Sequence, residues 1–306
     1  MPSFREIKRR ISGVANIQQI TRAMKMVAGA RLRRSETGIL ALRPFSSRLD
    51  GLVARLLADA AGTEHPFFQK REVGKRALLV LSSDRGLCGS YNNRIVAGAL
   101  RLMDEGGDVP TEIYSIGKRG TDRFKALGVQ VTRDWEDVFN PVEFTTVKEV
   151  GSDLCERFMH QELDEVLIVF AEYFSPLTQQ ITHRRLLPSP PDMVREQMRS
   201  EAKTRRPEGV SNEAETIEKA ESHVYLHEPA FESILDKLLE YNLDLQIYRA
   251  MLEAQASEHG ARMMAMDNAT ENADEMIDEL TLTRNHLRQE TNTTAMQAAV
   301  GGDEAK

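Results

Sequence analysis

The sequence predicts an α/β protein: a central Rossmann-like body with a mostly parallel sheet, carried on a long antiparallel coiled coil of the N- and C-terminal helices. Three observations predict it. Both ends of the chain carry a long helical apolar period, strand and helix signals alternate between them, and the two end segments have opposite charge.

The first segment, residues 1–60, reads as one helix from Ser3 to about Leu57. Ser3 followed by Glu6 is a capping-box signature. Ile7, Ile11, Val14, Ile17, Ile20, Met24 and Val27 recur at three or four residues, and Leu42, Phe45, Leu49, Leu52 and Leu56 continue the stripe. Pro44 is expected to bend or interrupt the helix, since it lacks an N–H. A stripe this long with no domain around it is half of a coiled coil.

The second segment, residues 74–190, alternates. Strands are expected at Ala77–Ser82, Glu112–Ile116, Gly128–Thr132, Glu165–Ala171 and Gln179–Leu187, with helices at Asn92–Met103, Arg119–Ala126 and Val147–His160. Residues 195–222 are charged, poor in large apolar side chains and read as a flexible linker.

The last segment, residues 228–300, reads as a second long helix with Pro229 in its first turn. Ile234, Leu238, Tyr241, Leu245, Tyr248, Leu252, Gln255, His259, Met263, Met266, Ala273, Ile277 and Leu280 keep nearly heptad spacing. Residues 1–48 hold eleven bases and two acids, whereas residues 228–306 hold sixteen acids and six bases. Opposite charge flanking two apolar seams favours pairing of the two helices.

Composition narrows the function. The net charge of −7 argues against nucleic acid as the main partner. Two cysteines, Cys88 and Cys155, lack metal-ligand spacing and point to a reducing compartment. No apolar run reaches membrane-spanning length, and the N-terminus lacks a secretory apolar core. Its Arg-rich start resembles a transit peptide, but Glu6 and the unbroken stripe argue against one.

The best candidate ligand site is Ser82–Ser90, where a strand meets a glycine-bearing turn and a helix. It has neither the three-glycine dinucleotide pattern nor the phosphate-loop pattern, so a tight structural turn is the plainer reading. Cys88 has no histidine near it in sequence, and His223 and His227 lack a third ligand, so no metal and no cofactor is expected. The methionines, Met24, Met26, Met263, Met264 and Met266 among them, fill irregular seams. The bases Arg9, Arg10, Lys25, Arg33 and Arg34 are left to face an acidic protein partner.

Three segments carry a family resemblance. Ile7–Leu32, Ser83–Asn92 (SDRGLCGSYN) and Ser257–Thr283 resemble, in order and spacing, the gamma subunit of F-type ATP synthases. The resemblance implies a non-catalytic rotor shaft whose tip inserts into a ring of alternating alpha and beta subunits. It implies a central body against the epsilon subunit and the c-subunit ring, peripheral to the cytoplasmic face of a bacterial plasma membrane. Met24 and Lys25 match the family position near the beta-subunit lever. Arg288 and Gln289 match a pair that contacts a beta loop, and Thr293 matches a threonine one turn on. Beyond Gln289 the chain departs from the pattern: Asn292, Ala295 and Ala299 stand where the family has an apolar residue, a glutamate and an isoleucine. The absence of cysteine from 195–222 argues against chloroplast-type thiol regulation. The rival readings are a nucleotide- or phosphate-handling enzyme with a coiled-coil dimerisation arm, and an unrelated coiled-coil adaptor.

Overall fold

The computed structural model describes residues 3–59, 65–69, 71–139, 141–190 and 231–303. Helix α1 (Phe4–Asp59) and helix α5 (Phe231–Asp303) lie antiparallel against each other. At the helical rise they are about 84 and 110 Å long. Between them β1 (Arg76–Leu81), α2 (Tyr91–Glu105), β2 (Thr111–Ile116), α3 (Lys118–Ala126), β3 (Val131–Trp135), α4 (Phe144–Met159), β4 (Glu165–Tyr173) and β5 (Gln179–Leu187) build the body. The expected linker at 195–222, Pro229 and the pair His223 and His227 lie outside the described residues.

Helix α1 starts where its cap predicts. Ser3 Oγ accepts the Glu6 N–H at 3.3 Å, while the Glu6 carboxylate turns to Arg10 at 2.8 Å instead of closing the capping box. The helix runs on through Pro44 without interruption. Pro44 and Leu40, whose carbonyl loses the proline's N–H, are both exposed, so water can satisfy that carbonyl.

The seam facing α5 differs from the expected stripe. Ile7, Ile11, Val14, Gln18, Thr21, Lys25, Ala28, Leu32, Ser35, Ile39, Leu42, Ser46 and Leu49 alternate steps of four and three, and all are buried or half-buried. Two consecutive three-residue steps after Val14 swing Ile17 and Ile20 off this line. They and Val27 are 55–59% exposed. Polar residues take their place. Thr21 Oγ1 lies 2.8 Å from Thr270 Oγ1, Gln18 bonds Asp274, Lys25 pairs with Asp267, and Ser35 Oγ donates to Gln255 Oε1 at 3.0 Å. Polar seam positions cost stability and fix register. Arg5, Lys8, Arg9, Arg22, Arg33 and Arg34 face outward, so broad charge pairing across the seam is not what joins the helices.

The sheet order is β3-β2-β1-β4-β5, with the first four strands parallel and β5 antiparallel. Alternate residues of β1 serve opposite faces: Leu78 and Val80 pack under α2 and α3, Ala77, Leu79 and Leu81 under α4 and α5. Such two-sided burial produces the unbroken apolar run of a parallel strand. β3 begins three residues later than expected. Gly128 adopts φ 74° and the Val129 N–H bonds Phe124 O at 3.0 Å, so these residues end α3 before a strand can form.

Residues 74–190 do not close this core alone. Leu235, Leu239, Leu243, Ile247, Met251 and Ala254 of α5 pack with α4 on one face of the sheet. Close approach there depends on Gly151 of α4, where a Cβ would stand 2.0 Å from the Asp244 carboxylate. Burial, with Glu240 adding to it against Lys148, raises the Asp244 carboxyl to about 6.

Candidate functional site: the strand-end crevice and the shaft tip

The order of strands reverses between β1 and β4. In open α/β sheets the crevice beyond the carboxyl ends of two such strands is where ligands bind. Here α5 fills it. Tyr91 Oη donates to Ala254 O at 3.0 Å, and Ser257 Oγ donates to Ala171 O, on β4, at 2.8 Å. Arg262 donates to the carbonyls of Arg85 and Gly86, both at 3.2 Å, and pairs with Glu258 at 2.7 Å. Burial raises the Glu258 carboxyl, with Arg262 opposing it. Burial, then the positive charges of Arg262 and Arg31, push His259 down to about 4, so its ring is neutral at pH 7.

The Ser82–Ser90 turn is held by bonds to the body and to α5, while Asp84 Oδ2 is buried with no hydrogen-bond partner among the described residues. Ser82 Oγ donates to Gly117 O and accepts the Gly120 N–H, both at 2.9 Å. Gly117 has φ 98°, and a Cβ there would come 2.5 Å from Ser82 O, so glycine is required. The N-terminus of α3 could attract an anion, but Asp84 Oδ1 already accepts the Lys118 N–H at 3.1 Å and the Asp137 N–H at 3.0 Å. Cys88 is buried, and burial raises its thiol, which works against a reactive thiolate. This turn is a joint between body and shaft.

The residues singled out on the shaft lie along its length. Arg9, Arg33 and Arg34 are exposed, and Arg10 pairs with Glu6. Met24 is half-buried and Lys25 is engaged by Asp267. Gln18 opposite Asp274 sets Phe4 level with about Arg288. Gln289–Asp303 therefore projects past α1 as a single helix for about 22 Å. Arg288, Gln289 and Thr293 are exposed there, and the Thr293 hydroxyl donates back to Gln289 O at 2.9 Å. Met24 and Lys25 do not form a cluster with Arg288 and Gln289. The two groups are about 30 Å apart along the axis, because Asp267 and Arg288 are 21 residues apart on one helix.

Sequence reasoning missed the joint: Tyr91, Gln255, Ser257 and Arg262 each join α5 to the body. The available signal was the polar residues Gln255, Ser257 and Arg262 on a face of α5 whose apolar spacing marks it as packed.

A family model described as ATP synthase matches residues 3–305. The chain is 37% identical over 302 residues to the ATP synthase gamma chain of Heliobacterium modesticaldum, covering 99% of this chain and 98% of that one. It is 36% identical over 307 residues to the gamma chain of Geotalea uraniireducens, covering 100% and 99%. Among solved structures, the fold is similar to a chain of the Tetrahymena thermophila mitochondrial ATP synthase central stalk and c-ring, with TM-score 0.61, 22% identity and coverage of 82% and 99%. A chain of the Euglena gracilis mitochondrial enzyme in rotational state 3 gives TM-score 0.65, 17% identity and coverage of 99% and 94%. A paired shaft with a single-helix tip, a body whose ligand crevice is plugged by that shaft, and full-length similarity to gamma chains lead to one assignment: the chain belongs to the ATP synthase gamma chain family.

Proposed function

We infer that this chain is the central rotor shaft of an F-type ATP synthase and has no catalytic role of its own. The observation that carries the reading is the continuity of α5, which runs from the core of the body to the projecting tip. Any rotation of the body is thereby applied to the tip.

The partners follow from the family. The tip and upper shaft, with Arg9, Arg10, Met24, Lys25, Arg33, Arg34, Arg288, Gln289 and Thr293, turn inside the ring of alpha and beta subunits. The body sits against epsilon and the c-subunit ring, peripheral to the cytoplasmic face of a bacterial plasma membrane. No described helix is long and apolar enough to cross a membrane. Proton flow turns the ring and shaft, and the asymmetric shaft takes the three beta sites through different conformations.

Co-purification tests the assignment. The tagged chain is expected in a stoichiometric complex with an ATPase hexamer, while the purified chain alone hydrolyses no ATP. Turnover by hexamer-free protein that disappears in Asp84→Ala would overturn the rotor reading in favour of an α/β enzyme.

A further inference from the structure

We propose that one turn of α5, Ala254–Ser257, together with Ser35 and Glu36 of α1, is a torsional clamp locking the coiled coil to the α/β body, with Gln255 and Tyr173 as its positioning residues. The proposal rests on the rotor reading and names where torque passes between shaft and body.

The geometry is a set of hydrogen bonds leaving one level of the shaft in different directions. Gln255 uses both ends of its amide: Oε1 accepts from Ser35 Oγ on α1 at 3.0 Å, and Nε2 donates to Phe139 O in the segment after β3. Tyr91, on α2, holds the Ala254 carbonyl, and Ser257 holds Ala171 O on β4. Two residues further along β4, Tyr173 Oη donates to Glu36 Oε1 on α1 at 2.6 Å. Both shaft helices are thus tied to the body at the same height, and Gln255 also ties them to each other.

Direction distinguishes these bonds from the surrounding core. Apolar burial depends on area and carries no bond direction, so its resistance to turning comes from side-chain packing alone. Hydrogen bonds weaken steeply as their angles depart from linear, so turning the shaft in the body strains several at once. A slender two-helix shaft needs such a lock where it meets a rigid body. In the seam above it, the bonds at Gln18, Thr21 and Lys25 join one helix to the other and none reaches the body.

The test uses the assembled complex in membrane vesicles, with ATP hydrolysis and ATP-driven proton uptake measured on one sample. Gln255→Leu and Tyr173→Phe are expected to keep hydrolysis per assembled complex while proton uptake per ATP falls about twofold or more, the low end of what network changes do to coupling. Glu36→Gln, whose amide oxygen still accepts from Tyr173, is expected to keep the wild-type ratio. If Gln255→Leu assembles poorly, Tyr173→Phe carries the comparison. A lower melting temperature with an unchanged uptake-to-hydrolysis ratio overturns the clamp and leaves these residues structural. A wild-type chain that never co-purifies with a hexamer overturns the rotor reading instead.

Discussion

Arg262 and Glu258, one turn apart on α5, form a nearly buried ion pair at 2.7 Å, and the same guanidinium holds the carbonyls of Arg85 and Gly86. This contact joins the chain's glycine-bearing turn to its C-terminal helix. Removing one member of such a pair leaves the other charged and buried.

Arg262→Met is therefore expected to destabilise the chain by about 3–5 kcal/mol. It should also expose the Asp84–Gly89 turn to limited proteolysis. Thermal melting of the purified chain checks the first effect and peptide mapping of the cleavage the second. A melting temperature within a degree or so of wild type would show that the pair is dispensable.

Asp244 predicts an unusual pH dependence. Its carboxyl is raised from 3.8 in the unfolded chain to about 6 in the folded one. Between those values the folded state holds the proton more tightly, so this group's contribution to stability falls as pH rises. Asp244→Asn removes the buried charge at neutral pH. It is expected to stabilise the chain by about 1 kcal/mol at pH 8, roughly 2–3 °C in Tm, and by little at about pH 3, below the unfolded-state value. Melting curves at the two pH values decide it; an equal shift at both would exclude the titration.

Met24 and Arg288 are separated by about 30 Å of shaft. Their effects on coupling should be independent. Met24→Lys and Arg288→Ala are each expected to lower ATP-driven pumping in assembled complexes, and the double mutant to show additive losses within about 0.5 kcal/mol. Strong non-additivity in the three-mutant comparison would mean that the two positions act on one contact.

The exposed stripe of Ile17, Ile20 and Val27 is off the coiled-coil seam. Exposed apolar patches promote association. Ile20→Lys is expected to reduce self-association of the isolated chain in light scattering while leaving its melting temperature almost unchanged. A drop of several degrees would show that Ile20 packs within the chain.

The architecture was legible because its signals are long. Forty-seven residues of near-heptad spacing, from Ile234 to Leu280, predict α5, and five strand signals mark the sheet between the long helices. The details that failed depend on local competition. Ile17 and Ile20 follow a helical period but drift from the four-three rhythm kept by Gln18, Thr21 and Lys25, so polarity disguised the true seam. Gly128 and Val129 look like the start of a strand but serve to end α3. The Ser82–Ser90 segment was legible as a tight turn but not as a joint, since its partner Arg262 is more than 170 residues away. The separation of Met24 from Arg288 could not be read either, because sequence motifs carry no axial register.

The core's dependence on α5 sets the order in which the protein can be made. When Leu187 leaves the ribosome the sheet is chemically complete, yet the residues from Leu235 to Ala254 that cover one face are still to come. At ordinary elongation rates that delay is roughly 3–13 s. For that interval a nascent chain displays Leu79, Leu81, Ile168 and Phe170 on an unlidded surface. A chaperone would meet its substrate there, and the finished body cannot be released from synthesis before most of its own shaft has been added.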